Sequence, residues 1–454
     1  MLGAATVGKD GAFYLDIARQ MSEQGLFGGP LRFDWPGFLM LLAGTHRLLG
    51  VPLELAAYLW CALFMAGSCA LLVATVRRLR PDAAWWAVLT VLAVPAFNEQ
   101  RGEILREFGF WFFSALTLWL AVLWQQRGGW WRAALIHLAI GMAVVFRLEA
   151  VLLLPALFLC QLPRLGSRQG WLELMQLAGL PLLVLVLLGG ALLESGQASQ
   201  RVGYYLQLLD PRTLQAAFAA KAQALNDAVF VLYMEDQAGA ILLGMLLSAV
   251  VLFFLMFSGP LGLLFLSGAG WRGLAGFWRE FRLAALAALL YVGVLVVFFI
   301  QQGFINSRYV SYLHLLCVPL FSIGLLLFHG RFPRLSRVLV GLLVLMALAN
   351  VVSTGAKKTH FIEAGAWMAE HLEQRPDVYF EDARVGYYAG WGYPFSRLSP
   401  QQAMCAEHVG DFRYWVIEAK ADEPWLQEWL MANQRRVLAS FANRKGKTVL
   451  VIGR

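Results

Sequence analysis

Charge is scarce in this chain. Of 454 residues only 15% are Asp, Glu, Lys or Arg, against 59% hydrophobic, and the mean hydropathy is +0.61. A soluble globular domain carries about 25% charged residues, so that class is excluded, as is intrinsic disorder. Cysteine is nearly absent as well. Four of the five cysteines, Cys61, Cys69, Cys160 and Cys317, lie in apolar runs and only Cys405 lies outside them, which leaves no disulfide framework and no Cys-x-x-Cys metal site. There is no Asp-x-Asp pair with which to hold a metal-bound diphosphate, and no internal repeat of the kind that transporters show. The net charge of +8 has no basic tract interleaved with aromatics, so nucleic acid is not the partner.

What the sequence does have is long apolar runs. "WLELMQLAGLPLLVLVLLGGALL" (171–193) and "RLAALAALLYVGVLVVFFIQQG" (282–303) reach the ~18 or more residues that a ~30 Å hydrocarbon core requires. Candidate spans fall at about 52–76, 82–97, 108–125, 133–146, 150–162, 171–193, 239–257, 283–301, 309–328 and 337–353. Arginines gather in every second connection: Arg77, Arg78 and Arg80; Arg127 and Arg132; Arg164 and Arg168; Arg272, Arg279 and Arg282; Arg331, Arg334 and Arg337. By the positive-inside rule those connections are cytoplasmic. Residues 1–51, "NEQRGEILRE" (98–107), the "RLE" break (147–149), the loop 194–238, "FINSR" (304–308) and everything after about 354 then face outward. Ten spans with an outer C-terminus put the N-terminus outside too, yet residues 1–51 hold no apolar helix to carry them across, so a further span upstream of Met1 is expected.

The fold expected is therefore mainly α: a polytopic transmembrane helical bundle over 1–353 and a small extracytoplasmic α/β domain over 354–454. In the latter an amphipathic helix at 356–374 precedes β-type runs "VYFED", "YWVIEA", "RRVLASFA" and "TVLVIG", the last two forming a hairpin across "NRKGK". Capping the membrane part is the plain role for such a domain.

Ionisable residues at the edges of apolar runs are the informative ones, because burying them costs several kcal/mol unless they are paired or face a cavity. Four places qualify, all on the outward side: Lys9 and Asp10 with Tyr14 and Asp16; Arg101, Glu103, Arg106 and Glu107; Arg147 and Glu149; and Arg308 with Tyr309. Around "VVFRLEAVLLLP" the apolar stretches are about 14 residues each, or ~21 Å as helix, too short for ordinary spans. Arg147 and Glu149 are thus either recessed in a depression or an ion pair that satisfies a loop. "DGAFYLDIARQM" reads as a short interfacial helix with Phe13, Ile17, Ala18 and Met21 on one face, and "FDWPGFLMLLAGTHRLLG" as a second interfacial or re-entrant one. Asp10 sits at or just before the first helix, where a carboxylate commonly serves as N-cap.

The order of these features resembles the GT-C superfamily of polytopic glycosyltransferases, which includes protein O-mannosyltransferases and the aminoarabinose transferase acting on lipid A. The family's first outer loop has an acidic residue followed by "xxxYxxxA", here "DGAFYLDIARQM"; an amphipathic proline-containing helix follows, here "WPGFLMLLAGTHRLLG". Next come an outer arginine–acid connection, here "RGEILREFGF", an "R-P-E-(G/A)" break, here "RLEA", and a late "RY" opening a span, here "SRYVSYLHLLCVPL". The resemblance covers most of residues 8–330. Departures are Gly11 where the family often has a second acid, Leu148 in place of the proline, and the missing helix before the first loop.

The resemblance implies transfer of a hexosyl or pentosyl unit from a polyprenyl-phosphate donor to a lipid, glycan or protein acceptor, at the outer face of a bacterial cytoplasmic membrane. It implies Asp10 as general base and Glu107 as a second carboxylate that orients the acceptor or a partner, with Arg308, Arg147 and Arg106 on the donor phosphate. Tyr14, Glu103, Glu149 and Tyr309 would line the substrate pocket. A positioned carboxylate is worth ~10²–10⁴-fold for a hydroxyl nucleophile, and arginine forks suit a departing phosphate. No cofactor is expected and no metal site is assigned, although Asp10 and Glu107 could meet around one divalent ion. The other classes are a surface-polysaccharide polymerase or ligase, which would use Arg201, Arg212, Lys221, Asp227, Tyr204 and Tyr205 of the loop 194–238, and a lipid-linked sugar transporter.

Overall fold

The computed structural model describes residues 6–25, 35–195, 210–229, 237–351, 358–373, 377–394 and 396–454. In chain order its main helices are α1 (Lys9–Gln24), α2 (Gly37–Leu49), α3 (Leu53–Leu79), α4 (Ala84–Ala93), α5 (Glu107–Arg127), α6 (Trp130–Phe146), α7 (Leu153–Gln161), α8 (Arg168–Ser195) and α9 (Pro211–Val229). They continue as α10 (Ala238–Phe257), α11 (Ala269–Glu280), α12 (Arg282–Gln302), α13 (Ser307–Leu316), α14 (Val318–Arg331), α15 (Pro333–Val351) and α16 (His360–His371). The C-terminal part adds β1 (Val378–Phe380), α17 (Arg384–Tyr388), β2 (Tyr414–Glu418), α18 (Pro424–Ala432), β3 (Arg436–Ala442) and β4 (Thr448–Gly453).

The apolar runs expected to span are helical over most of their described residues. Among the described residues five helices are long and apolar enough to cross a membrane: α3, α5, α10, α12 and Pro333–Asn350 of α15. Helices α13 and α14 qualify together but bend by 65° at Cys317, making six if they count as one span. Pro319 in the first turn of α14 lacks the amide that would continue α13, which is why the helix breaks there. Helix α6 has 17 residues, or about 25 Å, and α7 only 9; the 3₁₀ turn Leu148–Leu152 between them fills the expected "RLE" break. Arg201, Tyr204 and Tyr205 of the 194–238 loop lie outside the described residues, while Arg212, Lys221 and Asp227 are on α9.

The chain divides into two compact units: residues 1–62, 101–106 and 352–454 form the first, and 63–100 with 107–351 the second. In the second, Gly128 (φ +60°) and Gly129 (φ +101°) turn α5 back into α6. The two helices cross closely because Gly109 has no side chain: a Cβ there would stand 2.2 Å from the Phe146 ring. Phe146 packs in turn on Phe64 and Phe113. Far from Glu107, at the other end of the unit's helices, Arg80 joins Glu280 at 2.8 Å.

In the first unit the C-terminal strands form one mixed sheet in the order β1-β2-β4-β3, with β1 and β2 parallel and the β3–β4 hairpin antiparallel, as the sequence pattern predicts. The alternation of a strand sends Trp415, Ile417, Leu450 and Ile452 to one face, against Leu426 and Leu430 of α18. Val416, Val449 and Val451 go to the other, against Phe361, Ala364 and Met368 of α16.

Candidate active site

Three chain breaks in the second unit bring charged groups together. Glu107 opens α5, Arg147 follows the last residue of α6 in extended conformation, and Arg308 lies in the first turn of α13. A carboxylate at a helix N-terminus and a guanidinium at a C-terminus both complement the helix dipole. Arg308 does not, and its charge is met by Glu107 instead. The Oε1 atom of Glu107 accepts from Arg147 Nη1 at 2.6 Å, from Arg308 Nε at 2.7 Å and from Arg308 Nη2 at 2.6 Å. Arg147 also forks onto Glu149, through Nε at 3.1 and 3.2 Å and through Nη2.

Burial grades this cluster. The Glu107 and Arg147 side chains are 2% and 8% exposed, whereas Arg308 and Glu149 are 24% and 26% exposed. The outer pair is therefore the part of the cluster that solvent reaches, and the inner pair is enclosed. The Tyr309 ring lies 5.5 Å from the Arg147 guanidinium and packs on Phe298, and the Tyr291 hydroxyl donates to the Tyr309 carbonyl at 2.9 Å. Asn306 caps α13, its side chain accepting from the Tyr309 amide. Arg308 thus stands beside a capped helix N-terminus, a place suited to anions.

The first unit gathers the other expected groups around the start of α1. The N-cap is Gly8, with φ −68° and ψ 167° and no side-chain cap bond, so Asp10 is not the cap. It occupies the first helical turn, where its charge favours the dipole. The Glu103 carboxylate presses on Gly8, since a Cβ there would stand 1.8 Å from Glu103 Oε2, and Gly11 lies against Ile104. Tyr14 is buried edge-on against Phe38 of α2, which makes it a packing residue of the α1–α2 pair. Arg106 lies in this unit, on the same 101–106 segment as Glu103.

Hence Glu107, Arg147, Glu149, Arg308 and Tyr309 form one cluster, and Asp10, Tyr14, Glu103 and Arg106 belong to the other unit. The sequence reading missed Asp382, Arg384 and Tyr388, which meet the start of α1. Asp382 is 3% exposed, takes Arg384 Nε at 2.8 Å and Nη2 at 2.6 Å, and lies 3.2 Å from Lys9 Nζ. Burial works to raise its carboxyl, but the Arg384 fork and Lys9 outweigh that and hold it below the usual aspartate range. The signal was present in "FEDAR", an acid and an arginine two residues apart just past a buried strand. Among the described residues no three His, Cys, Asp or Glu side chains gather as a metal site would require.

Residues 34–190 match the family model of dolichyl-phosphate-mannose-protein mannosyltransferases, so the GT-C resemblance drawn from the motifs is borne out over that segment. No curated protein sequence matches the chain. Among solved structures it is similar to ArnT from Cupriavidus metallidurans, a structure bound to undecaprenyl phosphate, at 15% identity and a TM-score of 0.43 over 98% of this chain and 94% of that one. At that score the likeness is loose, and no residue role follows from it.

Proposed function

We propose, from the premise that residues 34–190 are a GT-C-type glycosyltransferase segment, that this membrane protein moves a sugar from a polyprenyl-phosphate carrier to an acceptor hydroxyl. By the arginine pattern of the loops, the reaction takes place at the outer face of a bacterial cytoplasmic membrane. The observation that carries the reading is the Arg308–Glu107–Arg147 bridge: a partly exposed arginine, held by two bonds beside a helix N-terminus, at the end of a bundle of apolar helices. Such a group recognises one phosphate at membrane depth.

In the proposed step the acceptor oxygen attacks the anomeric carbon as its proton passes to the Asp10 carboxylate. The bond from that carbon to the phosphate oxygen breaks, and the lipid phosphate leaves with the electron pair. A single displacement inverts the anomeric centre. Arg308 takes the developing phosphate charge, Arg147 and Glu107 hold Arg308 in place, and Glu149 and Tyr309 border the sugar. This chemistry requires no organic cofactor. Because the arginines supply the positive charge, a divalent ion is not needed to complete it.

Purified protein given radiolabelled polyprenyl-phosphate mannose, and then the corresponding pentose donors, with a membrane-extract acceptor tests the reading. Asp10→Asn should lower turnover by about 10²-fold or more, since a carboxamide takes no proton, while the lost dipole term costs only ~0.3–1 kcal/mol of stability. Near wild-type turnover at equal yield would remove Asp10 from the mechanism.

A further inference from the structure

The mechanism leaves unused an unusual concentration of contacts between one stretch of the C-terminal part, residues 382–393, and the helix that carries Asp10. The Val7 amide donates to the Tyr388 hydroxyl at 2.6 Å just before α1 begins, and Val7 is fully buried. Lys9 Nζ reaches Asp382 Oδ2 at 3.2 Å. One turn on, the Phe13 and Tyr393 rings meet edge to face at 5.4 Å. Asp16, buried and held by Gln20 at 2.9 Å, lies against Gly392, where a Cβ would stand 3.2 Å from its Oδ1. Gly392 has φ +83°, a backbone conformation that favours glycine. Arg19 closes the row over the Tyr387 ring at 5.7 Å.

Positions 9, 13, 16 and 19 follow the spacing of a single helical stripe. The whole of that stripe is therefore held by 382–393, while Gly11 is held from another side by Ile104 and Tyr14 by Phe38. Asp10, between Lys9 and Gly11, has its backbone gripped on both sides and its side chain half-exposed.

We infer that Asp382 is a positioning residue for sugar transfer: through Lys9, and with Tyr388 on the Val7 amide, it fixes the first turn of α1 and so the place of the Asp10 carboxylate. The inference rests on the proposed role of Asp10. The anchor is itself immobile. Asp382 is gripped at both oxygens by Arg384, whose guanidinium lies 4.0 Å from the Phe361 ring of α16, so a displacement at Lys9 is resisted by the packed sheet domain. A base displaced by about 1 Å loses up to ~10²-fold in rate although its chemistry is intact.

Two measurements on the full chain in nanodiscs test this. Asp382→Asn, and Lys9→Met as the milder variant that leaves the Asp382–Arg384 pair in place, should speed hydrogen exchange at the Val7 amide and at Ala12–Asp16. Both should lower kcat for polyprenyl-phosphate mannose, or for the pentose donor if that is the one turned over, by about 10-fold with the donor KM unchanged. Lys9→Arg should restore both readouts. Unchanged exchange in both variants would overturn the inference whatever the activity, and faster exchange with unchanged kcat would reduce the contact to simple packing. Failure of the Asp10 reading is separable, because it appears as an active Asp10→Asn enzyme, while exchange at Val7 still reports the clasp.

Discussion

Replacing Glu107 by glutamine changes almost no volume but removes one negative charge from a buried cluster. Two arginines and two glutamates sum to zero in the native protein, and the variant leaves a charge of +1. Both Arg147 and Arg308 bond to the same Glu107 oxygen. Each bond would pass from a charge-assisted one, worth ~1.5–3 kcal/mol, to one with a neutral acceptor, nearer ~1 kcal/mol. Over two arginines the loss is about 1–4 kcal/mol, at its upper end within the ~3–5 kcal/mol seen when one partner of a buried pair is deleted. Equilibrium unfolding in mixed micelles, arranged as a double-mutant cycle with Arg308→Gln, measures it; a coupling within ~0.5–3 kcal/mol is expected. Turnover should fall while the donor KM does not rise, since both arginine charges remain. Stability within 1 kcal/mol of wild type with no coupling would show that the bridge does not hold Arg308, and full loss of turnover at native stability would make Glu107 the proton acceptor instead.

Arg308→Ala should both raise the donor KM and lower kcat, because the contact exists before and during bond breaking; a pure kcat effect in steady-state kinetics would contradict it. Gly109→Ala forces a methyl into the Phe146 ring and should cost about 1–3 kcal/mol by overpacking, read as a lower unfolding midpoint; an unshifted midpoint would mean that α5 and α6 do not cross there. For Asp382 the folded carboxyl is held below its unfolded value, so its contribution is complete above about pH 4 and lost as pH falls through the folded value. Groups facing it are Lys9, Arg384, Glu381 and Tyr393, and amide exchange at Val7 should be flat from pH 5 to 8 after correction for intrinsic rates and rise only as pH falls below the ordinary aspartate range.

The elements were legible because hydropathy and charge write them directly: runs such as 283–301 and 239–257 return as α12 and α10 to within a residue or two, and the alternation in "TVLVIG" returns as β4. Half of the chemistry was legible too, since an arginine or glutamate at the edge of an apolar run has no inexpensive position except in an ion pair. Which pairs form was not legible. Glu107 and Arg308 are 201 residues apart, and nothing local distinguishes Glu107 from Glu103, four residues earlier. Only the packing of α5 on α6 through Gly109 decides between them. That Asp10 is not the helix cap has a similar origin. Sequence preference favours Asp at an N-cap, but Gly8 supplies the extended backbone two residues earlier, with the Glu103 carboxylate lying against it.

If Arg308 takes the donor phosphate as proposed, the low dielectric around the cluster explains why both arginines are tied to glutamates. Arg308 alone at the first turn of α13 would oppose the helix dipole, and a bare cation at membrane depth would be free to swing toward any carbonyl or water. Glu107 removes both problems with one oxygen, and Arg147, pinned a second time by Glu149, keeps that oxygen from following Arg308 outward. The guanidinium of Arg308 is thereby held in a fixed orientation before any ligand arrives. A phosphate bound there meets a preset geometry, so little reorganisation is required as charge moves onto it in the transition state. A neutral, doubly braced cluster gives up some ground-state attraction for an anion in exchange for orientation. That is the balance that favours rate over affinity in group transfer, because tighter binding of the donor phosphate before reaction would leave kcat no higher.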